Sequence, residues 1–321
     1  MRAVQVVRLE GPGAVEVRDV PEPVRREGQV LVDVRAAGVN FPDVLQTKGL
    51  YQYQPDLPFT MGSELAGSVR EAPDGSALRP GDPVAAFAGI GAFQEVVAVD
   101  EQHVLPLPDG VSFAAGAGLP MNYLTAHFTL AVRGRMRAAE TVLVHGAAGG
   151  VGTAVVQLAA ALGARVIAVV STDAKADVAR AAGAHETVAV EGFRDAVKEL
   201  TDGAGVDLVV DPVGGDRFTD SLRCLAPQGR LLVVGFTAGD IPTVKVNRLL
   251  LGNTDVVGVG WGGFALGRPG YVAQQWAELT PHLRSGAIDP LISATFPLEE
   301  AAEALTRIDE RQVTGKVVLE T

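Results

Sequence analysis

Cysteine is almost absent: Cys224 is the only one in 321 residues. An intrachain disulfide is therefore impossible, and a cysteine-rich structural zinc lobe is excluded. Histidine offers no replacement. The five histidines (His103, His127, His145, His185 and His282) are scattered with no HxxxH-type ligand pair, and each reads as structural or exposed. No apolar run reaches the length of about 18 residues that a membrane span needs, and the longest candidates are broken by glycine turns. The first residues, Met1-Arg-Ala-Val-Gln-Val-Val-Arg8, read as a strand and not as a signal-peptide core, so a cytoplasmic location is expected. Basic charge is also short. Lys and Arg total 27 against 38 Asp and Glu, a net charge of −11. That balance argues against nucleic acid or an anionic membrane as partner, because both reward basic patches.

What is present is an ordinary globular composition, 47% hydrophobic and 20% charged, with length for two domains, each able to bury a core. Residues 1 to about 118 read as β-rich. Short runs (Val4–Leu9, Ala14–Val20, Gln29–Ala37, Leu65–Arg70, Pro83–Ala88, Phe93–Val99) are punctuated by Gly and Pro at turn positions, the pattern of a partly open barrel. From about residue 119 the texture changes. Leu119–Arg133 has helical spacing, and strands are predicted at Thr141–His145, Arg165–Val170, Glu186–Val190, Leu208–Asp211, Arg230–Val234 and Asp255–Val259. Five helical stretches alternate with them, near 150–162, 174–182, 193–202, 215–225 and 246–252. That alternation predicts an α/β fold with a doubly wound six-stranded parallel sheet. Beyond Trp261 come helices at about Tyr271–Ser285 and Leu298–Ile308 and a closing strand, Gly315–Glu320. These last 60 or so residues are expected to return to the first domain.

The most specific stretch is Val142-Leu-Val-His-Gly146-Ala-Ala-Gly149-Gly150-Val-Gly152. A β-branched run stops at a glycine cluster and an alanine-rich helix starts at once. That order lets a pyrophosphate rest on backbone N–H groups at a helix N-terminus. The spacing contains no plain GxGxxG, so its context carries the reading. Gly149, Gly150, Val151 and Gly152 are the cradle residues. The second strand ends at Ser171-Thr172, with Lys175 one turn on. An NAD site usually offers a carboxylate here to the ribose hydroxyls; its absence and the nearby cation suit a 2′-phosphate, hence NADPH. Asp173 pulls the other way, although its place is also that of a first-turn helix residue. Gly235-Phe236-Thr237 and Gly258-Val259-Gly260 follow the fifth and sixth strands, where loops line the cofactor crevice.

With these residues in view, the chain resembles the zinc-independent quinone oxidoreductase branch of the medium-chain dehydrogenase/reductase superfamily. The resemblance runs through Ala37-Gly-Val-Asn40-Phe-Pro-Asp43, Lys48-Gly-Leu-Tyr51, Met61-Gly-Ser-Glu64-Leu-Ala-Gly67, the glycine turn, Val233-Val-Gly-Phe236-Thr, Val257-Gly-Val-Gly-Trp-Gly262 and Gly315-Lys-Val-Val-Leu. It implies a Rossmann domain over 119–260 and a GroES-like catalytic domain over 1–118 and 261–321. Zinc-dependent relatives carry Cys where Asn40 stands, His where Ser63 stands, and Cys near Met121 or Asn122. None of these side chains here is a thiolate or imidazole, so a tetrahedral catalytic zinc cannot be assembled. Without that Lewis acid, the substrate must spread the charge left by hydride attack, as a quinone or conjugated carbonyl does.

The resemblance also implies roles for single residues. Tyr51, Asn40 and Asp43 become catalytic candidates, with Asn40 and Thr125 near the nicotinamide. Read from the residues alone, Asn40 and Asp43 form a turn after a strand, Thr125 is a locally packed helix residue, and Tyr51 is a half-buried amphipathic side chain. Ser63 and Glu64 read as supporting structure. Some NADPH-binding relatives carry Tyr or His near Val190, and Lys316 or Arg311 are candidates to make up the lost contact. No Ser/His/Asp constellation and no dedicated general acid is evident, so solvent is expected to protonate the product. The expected activity is NADPH-dependent, zinc-independent reduction of a quinone or similar small electrophilic carbonyl compound. Reduction of the double bond of an enone, enal or enoyl thioester is the alternative, and a non-catalytic, crystallin- or sensor-like NADPH-binding protein is a further one. A homo-oligomer, dimer or tetramer, is expected, with the sixth strand near Val256–Val259 a candidate for pairing between copies.

Overall fold

Alternating apolar and turn-forming segments fold into two compact units in the computed structural model, which describes all 321 residues. One unit comprises Met1–Asn122, Arg268–Arg284 and Pro290–Thr321; the other comprises Tyr123–Gly267 and Ser285–Asp289.

The second unit is built on a six-stranded parallel sheet. Its strands, in chain order, are Thr141–His145, Arg165–Val170, Glu186–Ala189, Val206–Asp211, Leu225–Val233 and Asp255–Gly258. Across the sheet they lie in the order 3-2-1-4-5-6, the doubly wound Rossmann arrangement that the alternation predicts. The central strands are near-continuous runs of Val, Leu, Ile and Ala because both faces are covered; Val142, Leu143, Val144, Val166, Ile167, Ala168, Val209 and Val210 are fully buried. Helices Gly150–Ala161, Asp173–Ala181, Phe193–Leu200, Phe218–Arg223 and Asn247–Gly252 connect the strands. His145 ends the first strand fully buried. Its Nε2 lies 2.8 Å from Ser221 Oγ, and burial pushes its pKa down to about 3, so the ring stays neutral.

The predicted helix over Leu119–Arg133 divides in two: an α-helix, Pro120–His127, runs into a π-helical turn, Phe128–Arg133. Thr129 Oγ1 donates to Thr125 O at 2.7 Å at this junction, where Ser or Thr back-bonding bends a helix. Gln157, on the helix after the glycine turn, takes part in a closed clip. Its Oε1 accepts from Tyr123 OH at 2.5 Å and from Asp289 N at 2.8 Å, while Nε2 donates to Asp289 O at 2.7 Å.

The first unit holds an open, mostly antiparallel sheet and no closed barrel. Its strands run in the spatial order Ile292–Pro297, Lys316–Glu320, Gln29–Val39, Glu64–Glu71, Pro83–Phe87, Val104–Pro106, with Val96–Asp100 also pairing to Gln29–Val39. A small sheet of Arg2–Val6, Val15–Asp19 and Phe59–Thr60 accompanies it. Several strands are offset from their sequence patterns. The first covers Arg2–Val6 rather than Val4–Leu9, because it pairs in register with Val15–Asp19 and leaves Leu9 exposed. Phe93–Glu95 leave the predicted strand and bond instead to the amino-terminal segment and Val34. The strand Ile292–Pro297 and the helix Phe41–Thr47 were not predicted.

Candidate active site

The glycine turn makes its site from backbone. Gly146 has φ +58°, which lets the chain reverse directly after His145. A Cβ on Gly152 would lie 2.1 Å from Gly146 O, so turn and helix touch only because that atom is missing. Gly149 is different: a Cβ there would meet only Gly146 O, at 3.4 Å. Gly149 caps the helix without a side-chain bond, and Thr153 N–H is the first to bond back, to Gly149 O at 2.8 Å. The amides of Gly150, Val151 and Gly152 therefore have no carbonyl of the helix before them. They form the donor set that a pyrophosphate requires, reinforced by the helix dipole.

The other candidate cofactor residues of this unit follow the carboxyl ends of its parallel strands. Ser171 is exposed after the second strand, and Thr172 caps the next helix by accepting from Lys175 N at 3.3 Å. Asp173 is the acidic first-turn residue of that helix. Val190 packs against the apolar core, so its side chain is a core residue rather than a polar contact. Thr237 N donates to Pro212 O at 3.1 Å, Val259 N donates to Val233 O at 2.9 Å, and Gly258 and Gly260 have open space where a Cβ would point. Thr125 is half-buried on its helix.

Asp211 escaped the sequence reading. It ends the fourth strand 1% exposed. Its Oδ1 accepts from Val213 N at 2.8 Å and Gly214 N at 2.9 Å, which folds the loop over. Its Oδ2 is buried without a partner, and burial raises its pKa. The available signal was an Asp at a strand end followed by Pro212-Val213-Gly214-Gly215.

In the first unit the candidate residues are joined by side chains. Asn40 and Asp43 do not form the simple turn read from the sequence; they open the helix Phe41–Thr47. The cause is local. Asn40 stands at the N-cap, Pro42 in the first turn, and the Asp43 carboxylate reaches back to accept from Asn40 N at 2.7 Å, the returning half of a capping box. Strand register then brings distant residues together. Gly38 lies opposite Glu64 on one side and Val39 opposite Val317 on the other. Lys316 Nζ donates to Asn40 Oδ1 at 2.7 Å and to Glu64 Oε1. Asn40 Nδ2 donates to Glu64 Oε1 at 2.8 Å and Gly38 O at 3.2 Å. Glu64 Oε2 accepts from Met121 N at 2.7 Å.

The space for this cluster is a missing side chain: a Cβ on Gly38 would sit 2.6 Å from Glu64 Oε1 and 2.8 Å from Lys316 Cε. Glu64, Asp43 and Lys316 are at most 3% exposed. Burial raises Asp43 to about 7; the Asn40 N–H and Lys316 pull it down, and Glu64 pushes it up. Half-buried Tyr51 has its hydroxyl raised by burial first and by Asp43 second. Thus Lys316, named as a possible phosphate contact, is an interior residue of this cluster. Both amide hydrogens of Asn40 point inward, to Gly38 and Glu64. Ser63 Oγ is buried without a partner.

Residues 26–109 match the family described as alcohol dehydrogenase GroES-like domain, and residues 150–283 match zinc-binding dehydrogenase. The chain is 37% identical to quinone oxidoreductase-like protein 2 of Bos taurus over 322 residues, 99% of this chain and 92% of that protein. It is also 37% identical to a quinone oxidoreductase of Pseudomonas aeruginosa, covering 99% of each. The chain belongs to the zinc-independent quinone oxidoreductase branch of the medium-chain dehydrogenase/reductase superfamily. It is an oxidoreductase of that type. A mycobacterial protein whose structure was solved in complex with NADPH superimposes with a TM-score of 0.92 at 34% identity, covering all of both chains. The zinc of the family description does not fit this member of the branch. Asn40, Ser63 and Met121 are not ligand types for a tetrahedral zinc, the Asn40 amide is engaged by Lys316 and Glu64, and no cluster of three His, Cys, Asp or Glu is arranged to hold a metal. No helix is long and apolar enough to cross a membrane.

Proposed function

We propose that this protein is an NADPH-dependent reductase of quinones or similarly electrophilic carbonyl compounds. The observation that carries the reading is the pairing of an open three-amide cradle at Gly150–Gly152 with a polar cluster whose donor set excludes a catalytic zinc. The relatives named above as quinone oxidoreductases and the relative solved with NADPH support it. NADPH, when bound, supplies the hydride; the protein supplies position and electrostatics. Gly149, Gly150, Val151 and Gly152 would hold the pyrophosphate, and Ser171 and Lys175 the 2′-phosphate. Thr125, Gly235–Thr237 and Gly258–Gly260 would line the rest. Tyr51 would meet the substrate, with Asn40 and Asp43 behind it. A quinone carries its own electron sink, so a well-placed hydroxyl donor is enough to stabilise the developing oxyanion.

The test is NADPH oxidation with 1,4-benzoquinone, with a 2-enal and with an enone, repeated with NADH. Turnover of the quinone, with NADPH preferred, is the expected result. Turnover of only the enal or enone would move the assignment to double-bond reduction. Tight NADPH binding with no turnover would make the protein a non-catalytic binder.

We also propose a homodimer formed through the second unit. Asp255–Gly258 is the outer strand of its sheet and pairs only with Leu225–Val233. The preceding segment exposes Ile241, Val246, Leu250 and Leu251, each more than 70% accessible. An unpaired edge beside apolar side chains is a pairing surface. Light scattering at micromolar concentration should report a dimer or a multiple of it; a monomer overturns the assignment.

A further inference from the structure

Asp211 is a buried carboxyl that the reading above does not use. Its Oδ1 accepts from Val213 N at 2.8 Å and from Gly214 N at 2.9 Å, whereas its Oδ2 is buried with no donor. An acceptor buried without a donor is costly, so an aspartate here answers to something besides stability. Its place in the sheet says what. The fourth strand lies between the first and the fifth. The loop that follows it, residues 212–215, therefore stands between the glycine turn after the first strand and residues 235–240 after the fifth. All three lie at the carboxyl ends of the strands, where a dinucleotide is bound in this fold.

The loop touches both neighbours. On one side, a Cβ on Gly146 would lie 3.3 Å from Val213 Cγ2 and 3.6 Å from Pro212 Cγ. On the other, Thr237 N donates to Pro212 O at 3.1 Å and Ala238 N donates to Val213 O at 2.9 Å. Gly215 N returns a bond to Asp240 O at 3.2 Å. Gly214 has φ +67°, and a Cβ there would sit 2.9 Å from Phe236 Cδ1. The carbonyls of Pro212 and Val213 meet Thr237 and Ala238 only because the chain turns at once after the strand. The Asp211 side chain makes that turn, since both the Val213 and the Gly214 amides end on its Oδ1.

We propose that Asp211 is a positioning residue for the bound nucleotide. It sets the spacing between the glycine turn, which would hold the pyrophosphate, and residues 235–237, which would line the crevice beyond it. This rests on the NADPH-dependent reductase reading above. Asp211 touches neither cofactor nor substrate and acts through the loop 212–215. Without its Oδ1 the loop relaxes. The amides of Gly150, Val151 and Gly152 still meet phosphate, but the far end of the cofactor is no longer held in line. A misplacement of about 1 Å slows a positioned transfer about 100-fold. Asparagine offers the same acceptor for the turn, whereas alanine offers none.

The experiment takes three readings on Asp211→Ala and Asp211→Asn. They are amide hydrogen exchange of residues 235–240 without cofactor, affinity for adenosine 2′,5′-bisphosphate and for NADPH, and kcat with 1,4-benzoquinone. In Asp211→Ala, exchange at Thr237 and Ala238 should quicken about tenfold. The bisphosphate, which carries only the adenosine half of the cofactor, should bind within about twofold of wild type, and NADPH about tenfold more weakly. The kcat should fall about 100-fold, with KM for the quinone little changed. Asp211→Asn should restore all three. Gly214→Ala keeps Asp211 but drives a Cβ onto Phe236; it should reproduce the alanine pattern and serves if Asp211→Ala fails to fold. Wild-type exchange or wild-type kcat in folded Asp211→Ala overturns the proposal, as does Asp211→Asn impaired to the same degree. Equal weakening of bisphosphate and NADPH also overturns it, because Asp211 would then support the glycine turn alone. A wild type that binds NADPH but reduces no acceptor removes the reductase reading, and exchange and binding then decide Asp211.

Discussion

The two candidate regions are built on opposite plans. The glycine cradle is made of backbone from seven consecutive residues, Gly146–Gly152, and works by what those residues lack. The Asn40–Asp43–Glu64–Lys316 cluster is made of side chains, with Glu64 and Lys316 252 positions apart, and works by charge held out of water. The first is set by a local turn that requires glycine at Gly146 and Gly152. The second is rigid because three neighbouring strands must be in register. Perturbing the cradle should therefore change binding, whereas perturbing the cluster should change stability and pH response.

The largest expected effect breaks the cradle. Gly152→Ala forces a Cβ onto Gly146 O at 2.1 Å and should lower both thermal stability and NADPH affinity. Gly149→Ala is the informative contrast. Its Cβ meets only Gly146 O at 3.4 Å, so the melting temperature should stay close to wild type while NADPH affinity, followed by fluorescence titration, falls about 100-fold through lost close approach to phosphate. Equal loss of stability in both variants would mean that the turn is not an open site.

Next is the cluster itself. Lys316→Met leaves Glu64 buried and uncompensated, and breaking such a pair typically costs about 3–5 kcal/mol. Denaturant unfolding should show that loss, and Lys316→Met with Glu64→Gln should recover much of it. If the double variant is as unstable as the single one, packing rather than charge holds the cluster.

A smaller effect has a sign set by linkage. Asp43 has its folded pKa raised by burial to about 7 from the ordinary aspartate value near 3.8. Between those values the folded state binds more protons than the unfolded one, so this group's contribution to stability is present at low pH and is lost as pH rises towards 7. Asp43→Asn should therefore gain stability relative to wild type above pH 7, on the order of 2 kcal/mol, and little near pH 4. A difference independent of pH between 4 and 8 would show that Asp43 is ionised throughout.

The smallest effect concerns cofactor choice. Lys175 is partly exposed, and its attraction for a 2′-phosphate is screened. Lys175→Ala should cut the preference for NADPH over NADH by about tenfold, near 1.4 kcal/mol, with NADH affinity unchanged. Equal weakening of both would place Lys175 away from the 2′ position.

Much of the second unit was legible because its signals are local. Five helices and six strands alternate where β-branched runs, glycine turns and helical spacing alternate, and the strand Thr141–His145 falls where the run Thr141-Val-Leu-Val-His145 places it. The first unit was read less well. Its strands are short, and partners decide where they end: Phe93–Glu95 look like strand yet bond to the amino-terminal segment and Val34. Asn40 and Asp43 were visible as a polar pair after a strand, and the Asn-x-x-Asp spacing with Pro42 was the overlooked capping signal. That Lys316 reaches Asn40 and Glu64 was not legible at all. Nothing near residue 316 records which residues a parallel partner at Ile292–Pro297 and an antiparallel one at Gln29–Val39 will bring beside it.

That remoteness governs how the chain matures. The strand Lys316–Glu320 is the last element in chain order and lies beside Gln29–Val39, among the first. During synthesis, Glu64 emerges some 250 residues before the cation that pairs with it. Until residue 316 is added, the first unit has an unfilled place in its sheet and Glu64 has no ammonium partner. The glycine cradle can close on its own neighbours long before. The cluster is completed only at the end, so a truncated or stalled chain acquires the glycine turn without the Lys316–Glu64 pair.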